Sequence, residues 1–177
     1  CLSLINLNVK NIEIIASNST CEDSINFINT TGNINKINII NSYSDGLDID
    51  FSNLKIKKID IKSAANDCVD LSYGVYEIDK LNLSNCGDKA LSVGEKSKIN
   101  LEEILVNSSQ IGIASKDSSY VEFEYGYFNT IDTCLTAYKK KQEFEGGIIK
   151  AKNMKCDYIK KKISFDKYSI INIKNNI

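Results

Sequence analysis

The chain of 177 residues contains no arginine, histidine, proline or tryptophan, and only one methionine. Without histidine it has no imidazole base and no imidazole metal ligand, and without arginine it cannot grip a carboxylate with a guanidinium fork. Its formal net charge of −1 gives no reason to expect nucleic acid or an anionic membrane surface as a partner. No apolar run approaches the roughly 18 residues of a transmembrane helix, so no membrane span is predicted.

The length suits one domain, with enough chain to bury a core. Apolar residues make up 42% of the chain, which argues against disorder. We therefore predict a single domain over residues 1–177. Because the chain begins at Cys1 rather than Met and has no signal-like segment, we expect a processed product or one part of a longer protein, joined to further domains.

What the chain does contain is a repeat of about 22 residues. Pairs of mostly apolar residues, one residue apart, recur at intervals of 22 until the last interval, which is 28. These pairs are Ile25/Phe27, Leu47/Ile49, Val69/Leu71, Leu91/Val93, Ile113/Ser115, Leu135/Ala137 and Ile163/Phe165. Each pair alternates with polar residues, which is typical of a half-buried strand. Between successive pairs lies a second apolar motif, such as Ile56, Ile59 and Ile61, whose residue types favour strands.

One repeat is too short to bury its own apolar residues, whereas stacked copies bury them in continuous rows. The pattern therefore predicts an all-β fold, a right-handed parallel β-helix of about seven coils. A column of turn residues suits left-handed backbone geometry and consists of Asn41, Ser63, Asn85, Asn107 and Asn129. In the fourth coil the apolar motif slips by one residue while this column does not, which predicts a small bulge there.

Two regions interrupt the period. Residues 138–147 (YKKKQEFEGG) add six residues to one coil, which predicts a Lys-rich surface loop with a flexible exit at Gly146 and Gly147. The segment 157–177 is predicted to be irregular, with a shortened last coil.

Acidic residues are concentrated on one predicted face. Because Leu47 and Ile49 point inward, Asp48 points outward, and Asp70 lies beside it one coil later. Neighbouring coils lie about 4.8 Å apart. The sequence therefore predicts a carboxylate patch that consists of Asp45, Asp48, Asp50, Asp67, Asp70 and Asp88.

Like charges at that spacing repel each other, and three arrangements would relieve the repulsion. A bound Ca²⁺ would take carboxylate oxygens, and its predicted ligands are Asp45, Asp48, Asp67, Asp70 and Asp88. A raised carboxyl pKa would keep one partner neutral, as in catalytic pairs, for which the candidate residues are Asp45, Asp67, Lys89 and Lys116. In the third arrangement Lys89, Lys96 and Lys116 neutralise a solvated surface. The sequence leaves all three open.

The motifs SDGLDID (44–50) and NDCVDLS (66–72) resemble the two Asp motifs of polygalacturonase-type glycoside hydrolases, which also have a parallel β-helix. This resemblance would make Asp45 and Asp67 catalytic carboxylates. However, Asn66 stands where the family has a paired Asp, and the His and Arg-x-Lys elements of that family have no counterpart in this chain. A working polygalacturonase site is therefore not predicted.

Four motifs, SDGLDIDFSN, GDKALSVGE, IGIASKDSS and AYKKKQEFEGG, resemble the pectate-lyase-like β-helix repeat modules of bacterial surface and envelope proteins, some of them joined to CotH-like domains. The resemblance implies an extracytoplasmic location, at the cell surface or secreted, and a polysaccharide ligand. The first hypothesis is therefore a structural or carbohydrate-binding module. The alternative is a calcium-dependent polysaccharide lyase or uronate epimerase with Lys89 or Lys116 as base, which needs a lysine pKa far below about 10.4.

The aromatic residues leave two interpretations open. Tyr73, among other tyrosines, could stack on sugar rings or simply cover strands. The lysine run 139–141, with Tyr138 and Phe144, could contact an acidic glycan or form a solvated loop around a Phe144 that packs on the coil.

The six cysteines show no C-x-x-C motif, and without histidine no zinc site is predicted. Cys68 and Cys134 fall in one column but three coils apart, about 14 Å, which is too far for a disulfide. Cys156 falls at an inward position, and the pairing of Cys1 with Cys21 stays open. We expect mostly free, buried thiols.

Overall fold

The computed structural model describes residues 1–174, and these form strands and turns without any helix. The twelve strands are β1 (Leu2–Ile5), β2 (Asn8–Ser19), β3 (Asp23–Ile28), β4 (Thr31–Ser42), β5 (Asp45–Asp50), β6 (Asn53–Ala64), β7 (Val69–Ser72), β8 (Val75–Gly94), β9 (Lys98–Lys116), β10 (Tyr120–Tyr138), β11 (Ile148–Phe165) and β12 (Ile170–Ile173). All strand pairings are parallel. The predicted parallel β-helix is confirmed, with about eight coils instead of about seven.

Each coil contributes to three walls. The strands β1, β3, β5 and β7 and the last parts of β8 to β11 stack into one wall, which we call the acidic wall. The strands β2, β4 and β6 and the first parts of β8 to β11 bend in the middle, where the ladder skips one residue per coil. The halves after the bend form a second wall, which we call the amide wall (residues 36–40, 58–62, 80–84, 103–107 and 125–129, among others).

The core consists of rows of like residues. Leu47, Val69 and Leu91 are register partners in successive coils and are fully buried. The motif after each pair behaves in the same way, as Ile59 and Leu81 show. Burying a side chain of this size stabilises the fold by about 1.5–3 kcal/mol. The core is therefore continuous from coil to coil, as the repeat predicts.

A left-handed turn residue ends the amide wall in each coil. Asn41, Ser63 and Asn85 have φ of 59°, 67° and 55°, as predicted. In the next two coils the left-handed residues are Ser108 and Thr130, so the predicted column was wrong there by one position. The reason is one extra residue in the turn before β9. The first part of β8 therefore pairs with β9 one position later than the repeat predicts, and a bulge in the last part of β8 restores the original spacing.

The segment after residue 156 is more regular than predicted. The strand β11 continues to Phe165 in register with β10, and β12 pairs with β11. The prediction of an irregular segment was therefore wrong for these residues, while residues 175–177 lie outside the described range.

The prediction of mostly free thiols was wrong. The cysteines form three pairs, Cys1–Cys21, Cys68–Cys86 and Cys134–Cys156, with Cα atoms 5.9, 5.4 and 6.6 Å apart. The two cysteines of each pair are separated in sequence by about the length of one coil. They do not occupy equivalent positions in their coils. A comparison of positions 22 residues apart could not find the first two pairs, whose members are 20 and 18 positions apart. Cys134 and Cys156 are 22 positions apart, but the inserted loop shifts the register, so Cys156 lies beside Phe128 in the ladder and not beside Cys134.

The inserted loop, residues 139–147, packs against the turns at the end of the acidic wall, and we call it the strap. Gly146 and Gly147 are buried, and a Cβ on Gly147 would lie 2.0 Å from the carbonyl oxygen of Ser115. These glycines therefore allow a close approach of two backbones, and the predicted flexible exit was wrong.

Candidate functional site on the acidic wall

The floor of the candidate site is the outward row of the acidic wall. Asp48 of β5 and Asp70 of β7 are register partners, and Ser92 of β8 follows them. Asn26 donates from Nδ2 to Asp48 Oδ2 at 3.1 Å. Both carboxylates are half-buried. The structure places every carboxylate of the predicted patch on this wall or in the turns that lead into it, namely Asp45, Asp48, Asp50, Asp67, Asp70 and Asp88.

The electrostatics of this row favour protonated carboxyl groups. Burial, followed by the charges of Asp50, Asp23, Asp70 and Asp45, raises the pKa of Asp48 to about 8. Burial and the charge of Asp70 also raise the pKa of Asp50. A proton therefore remains on Asp48 near neutral pH, which reduces the repulsion between the coils.

Two of the candidate catalytic carboxylates bond to the backbone of the next coil. Asp45 Oδ1 accepts hydrogen bonds from the side chain of Asn66 at 2.7 Å and from the backbone N–H of Asp67 at 2.9 Å. Asp67 Oδ1 accepts the backbone N–H of Lys89 at 2.9 Å. Burial raises the pKa of Asp67 to about 6, although the bond from Lys89 and its charge lower it. Asp45 and Asp67 thus hold successive turns together.

Lys89 is held by two carboxylates. Its Nζ contacts Asp88 and lies 3.4 Å from Asp67 Oδ1. Burial lowers the pKa of Lys89, but the hydrogen bond to Asp88 and the charge of Asp67 outweigh burial, and the pKa is raised. A base in a lyase or epimerase reaction needs the opposite shift, so this geometry disfavours Lys89 in that role.

Lys116 is buried across the outer face of the same wall. Its Nζ lies 2.8 Å from Ser92 Oγ and 3.8 Å from Asp70 Oδ1. The chain of Lys116 passes over Gly94, where a Cβ would lie 2.8 Å from Cε, so a side chain at residue 94 would require the Lys116 chain to shift. Burial raises the pKa of Asp70 more than Lys116 and Ser92 lower it. The predicted candidates Lys116 and Asp70 are therefore brought together as a buried pair.

Two exposed aromatic rings border the floor, and we call them the aromatic edge. Phe51 and Tyr73 stack at 4.7 Å with an angle of 7° between the rings, and they are 54% and 40% exposed. Their φ values are 51° and 49°, a conformation that bulky residues rarely adopt and that costs about 1 kcal/mol or more. Tyr73 was predicted as a possible sugar-stacking residue, whereas Phe51 was not. The signal was available, because the two residues are 22 positions apart at equivalent turns.

The strap is anchored by Asp117, which is fully buried. Asp117 Oδ1 accepts the backbone N–H groups of Lys140 at 2.7 Å and of Lys141 at 2.8 Å. Lys141 Nζ in turn lies 2.6 Å from Glu95 Oε1, and Ser72 donates to Glu95 Oε2 at 2.7 Å. These contacts connect the strap to the end of the acidic wall.

The strap also reaches the aromatic edge. Phe144 is buried and meets Tyr73 edge-on, with ring centroids 6.3 Å apart. Lys96 Nζ lies 5.8 Å from the Phe144 ring centroid. The interpretation of a loop that packs through Phe144 therefore agrees with the structure.

Asp117→Ala is expected to release the strap and leave the solenoid folded. The loss of two hydrogen bonds from a buried carboxylate costs about 2 kcal/mol, which raises the population of an open strap roughly 30-fold. Trypsin should then cleave after the lysines of the strap much faster, while the far-ultraviolet circular dichroism stays unchanged. Asp132→Ala, which removes a partly exposed partner of Lys160, is the control. Equal cleavage rates in both variants would contradict the anchoring role.

The predicted calcium ligands do not form a ready-made site. Among residues 1–174, no group of three or more Asp, Glu or Cys side chains is arranged to hold a metal ion. Asp45, Asp67 and Asp88 are already bonded to the backbone or to Lys89. Calcium binding at these carboxylates therefore stays a prediction, and measurements of stability with and without Ca²⁺ test it.

The described residues also contain no helix that is long and apolar enough to cross a membrane. The predicted resemblance to modules of bacterial surface proteins stays a prediction, apart from the β-helix fold itself. A comparison of the chain with family models, with curated proteins and with solved structures finds no match.

Proposed function

We propose that the acidic wall and its aromatic edge bind a polysaccharide, and that the protein is a carbohydrate-binding β-helix module. The observation that carries this proposal is the exposed stack of Phe51 and Tyr73, which directly follow the strands that carry the half-buried carboxyl groups of Asp48 and Asp70. Sugar rings have an apolar face that packs on aromatic rings and hydroxyl groups that bond to carboxyl groups.

The charge of the wall favours a neutral polysaccharide. Burial, followed by the charges of neighbouring carboxylates, raises the pKa values of Asp48, Asp50 and Asp70, so any additional negative charge on this wall is unfavourable. A polyuronide would add further anions, and the nearby Lys89 and Lys116 are engaged with their own partners. The lyase or epimerase alternative is therefore the weaker candidate.

The cysteine pairs support an extracytoplasmic location, at the cell surface or in secreted form. Disulfides persist mainly in oxidising compartments. Three pairs at disulfide distance, with no free cysteine among the described residues, agree with such a location. We propose that the module belongs to an envelope-associated protein with further domains.

Titration with soluble neutral polysaccharides and with polygalacturonate tests this function. Phe51→Ala and Tyr73→Ala should each weaken the binding of a neutral polysaccharide about tenfold, because each removes one stacking surface. Tyr158→Ala is the matched control, since Tyr158 also has a positive φ (52°) and is 85% exposed on another part of the coil. Unchanged binding in both edge variants would contradict the proposal, and unsaturated products released from polygalacturonate would favour the lyase.

A further inference from the structure

A second groove, of about 420 Å³, lies on the amide wall. Its floor is the middle outward row of five successive coils, Asn38, Asp60, Asn82, Leu105 and Tyr127, which are register partners in that order. The groove therefore runs along the solenoid axis and presents one side chain about every 4.8 Å. None of these residues belongs to the acidic wall or its aromatic edge.

The first part of the floor is polar and close to electrically balanced. Asn82 Nδ2 donates to Asp60 Oδ1 at 2.7 Å, while Asn82 Oδ1 is buried and has no hydrogen-bond partner among residues 1–174. The charge of Asp60 is offset by Lys58, at 2.9 Å, and by Lys36, at 3.7 Å. An unsatisfied amide oxygen is costly, but this oxygen has almost no solvent-accessible surface, so a ligand hydroxyl group can bond to it only after the Asn82 side chain turns towards the groove.

Further uncharged groups line one rim of the groove. Asn129 Nδ2 donates to Asn107 Oδ1 at 2.8 Å, and both side chains line the groove. This bond leaves other donor and acceptor positions of the two amides available. The rim thus offers the paired donors and acceptors that sugar hydroxyl groups use.

The second part of the floor is apolar and open to solvent. Leu105 and Tyr127 are each 39% exposed. Lys155 Nζ lies 5.5 Å from the centroid of the Tyr127 ring and pairs with Asp157. Large apolar side chains rimmed by polar groups are typical of an interaction site.

The geometry restricts the kind of ligand. The backbone groups of this wall are already paired in the parallel ladder, so a peptide strand cannot add to it. A bound helix needs a continuous apolar groove, whereas only Leu105 and Tyr127 are apolar in this row. A charged polymer gains little, because the lysines next to Asp60 balance its charge.

We propose that this groove binds an uncharged linear polysaccharide along the solenoid axis. Sugar faces pack on Leu105 and Tyr127, and hydroxyl groups bond to the amides of Asn38 and Asn82. The groove lies on a different wall from the site proposed above and does not depend on it.

Calorimetric titration with neutral β-linked hexasaccharides of glucose, xylose and mannose tests the groove, with hexagalacturonate as the charged comparison. Leu105→Asn and Tyr127→Ala should each weaken neutral-saccharide binding at the groove about tenfold. Tyr43→Ala, which removes a tyrosine that is 72% exposed outside the groove, should have no effect. Leu105→Asn keeps the test valid if Tyr127→Ala folds poorly. A variant that combines Tyr127→Ala with Tyr73→Ala should bind neutral saccharides more weakly at both sites.

Each outcome is decisive. The groove is supported if the wild type and Tyr43→Ala bind one of the neutral saccharides equally tightly. Tyr127→Ala and Leu105→Asn must then bind the same saccharide more weakly. The proposal is overturned if both groove variants bind as the wild type does, if only hexagalacturonate binds, or if no neutral saccharide binds. If only Tyr73→Ala and Phe51→Ala weaken binding, the acidic wall is the binding site and the groove is not.

Discussion

Asp48→Asn is expected to stabilise the protein by about 2 kcal/mol at pH 8 and to leave its stability nearly unchanged at pH 4. The pKa of Asp48 is raised to about 8 in the folded state, chiefly by burial, whereas an unfolded Asp titrates near pH 4. Between these values the folded state binds the extra proton, so the wild type loses stability as the pH rises, by at most about 1.4 kcal/mol per pH unit. The half-exposed position of Asp48 reduces the total.

Urea unfolding between pH 4 and pH 9 measures this difference. The asparagine side chain of the variant keeps an oxygen that can accept the hydrogen bond from Asn26, so the comparison removes mainly the charge. Asp79→Asn, which removes a carboxylate from the exposed bend of β8, is the control for the loss of one negative charge. A loss of stability in Asp48→Asn at pH 8 would contradict the raised pKa.

The same measurement with and without Ca²⁺ tests the calcium prediction. If a calcium ion binds the carboxylates, calcium should raise the free energy of unfolding of the wild type more than that of Asp48→Asn. If calcium changes the stability of both proteins by the same small amount, calcium does not bind at Asp48. Protonation and the nearby lysines then reduce the repulsion between the carboxylates.

Asp70→Asn is expected to be less favourable than Asp48→Asn by about 2–3 kcal/mol at neutral pH. Burial raises the pKa of both carboxyl groups, but only the substitution of Asp70 also removes the carboxylate partner of Lys116. Asp70 is one coil from Asp48, but Lys116 Nζ lies 3.8 Å from its Oδ1, and the Lys116 side chain is only 7% exposed. Removing the carboxylate charge leaves a buried ammonium group with Ser92 as its remaining partner. An unpaired buried charge is strongly destabilising.

A double-mutant cycle with Lys116→Met separates this effect from general damage. Methionine keeps most of the apolar chain over Gly94 and removes the ammonium group, so Lys116→Met should destabilise the Asp70→Asn variant less than it destabilises the wild type. The pairing is contradicted if Asp70→Asn stabilises the protein as Asp48→Asn does, or if the two substitutions are additive.

The rows of the solenoid could be predicted from the sequence because they depend on a single distance along the chain. In a parallel stack, residue n lies beside residue n + 22, so the repeat alone places Leu47 on Val69 and Asp48 on Asp70. Outward and inward positions follow from strand alternation. Where one residue is inserted before β9, the prediction of the turn column failed by one position.

Contacts between different walls could not be predicted in this way. The Cys68–Cys86 pair joins residues 18 positions apart that belong to no common row. Lys116 reaches back over two coils to Asp70, and the strap folds onto Asp117 through its own backbone N–H groups. None of these contacts has a periodic signal in the sequence.

The sequence by itself therefore determined the coil, the walls and the row of carboxylates, because stacking in register converts a repeat distance into a spatial neighbour. Only the tertiary structure decided that Asp45 and Asp67 hold turns, that Asp70 pairs with the buried Lys116, and that Phe51 and Tyr73 form an exposed stack. These properties depend on turn geometry, on side-chain direction and on how much water each group loses on folding. A repeat pattern specifies none of these three quantities.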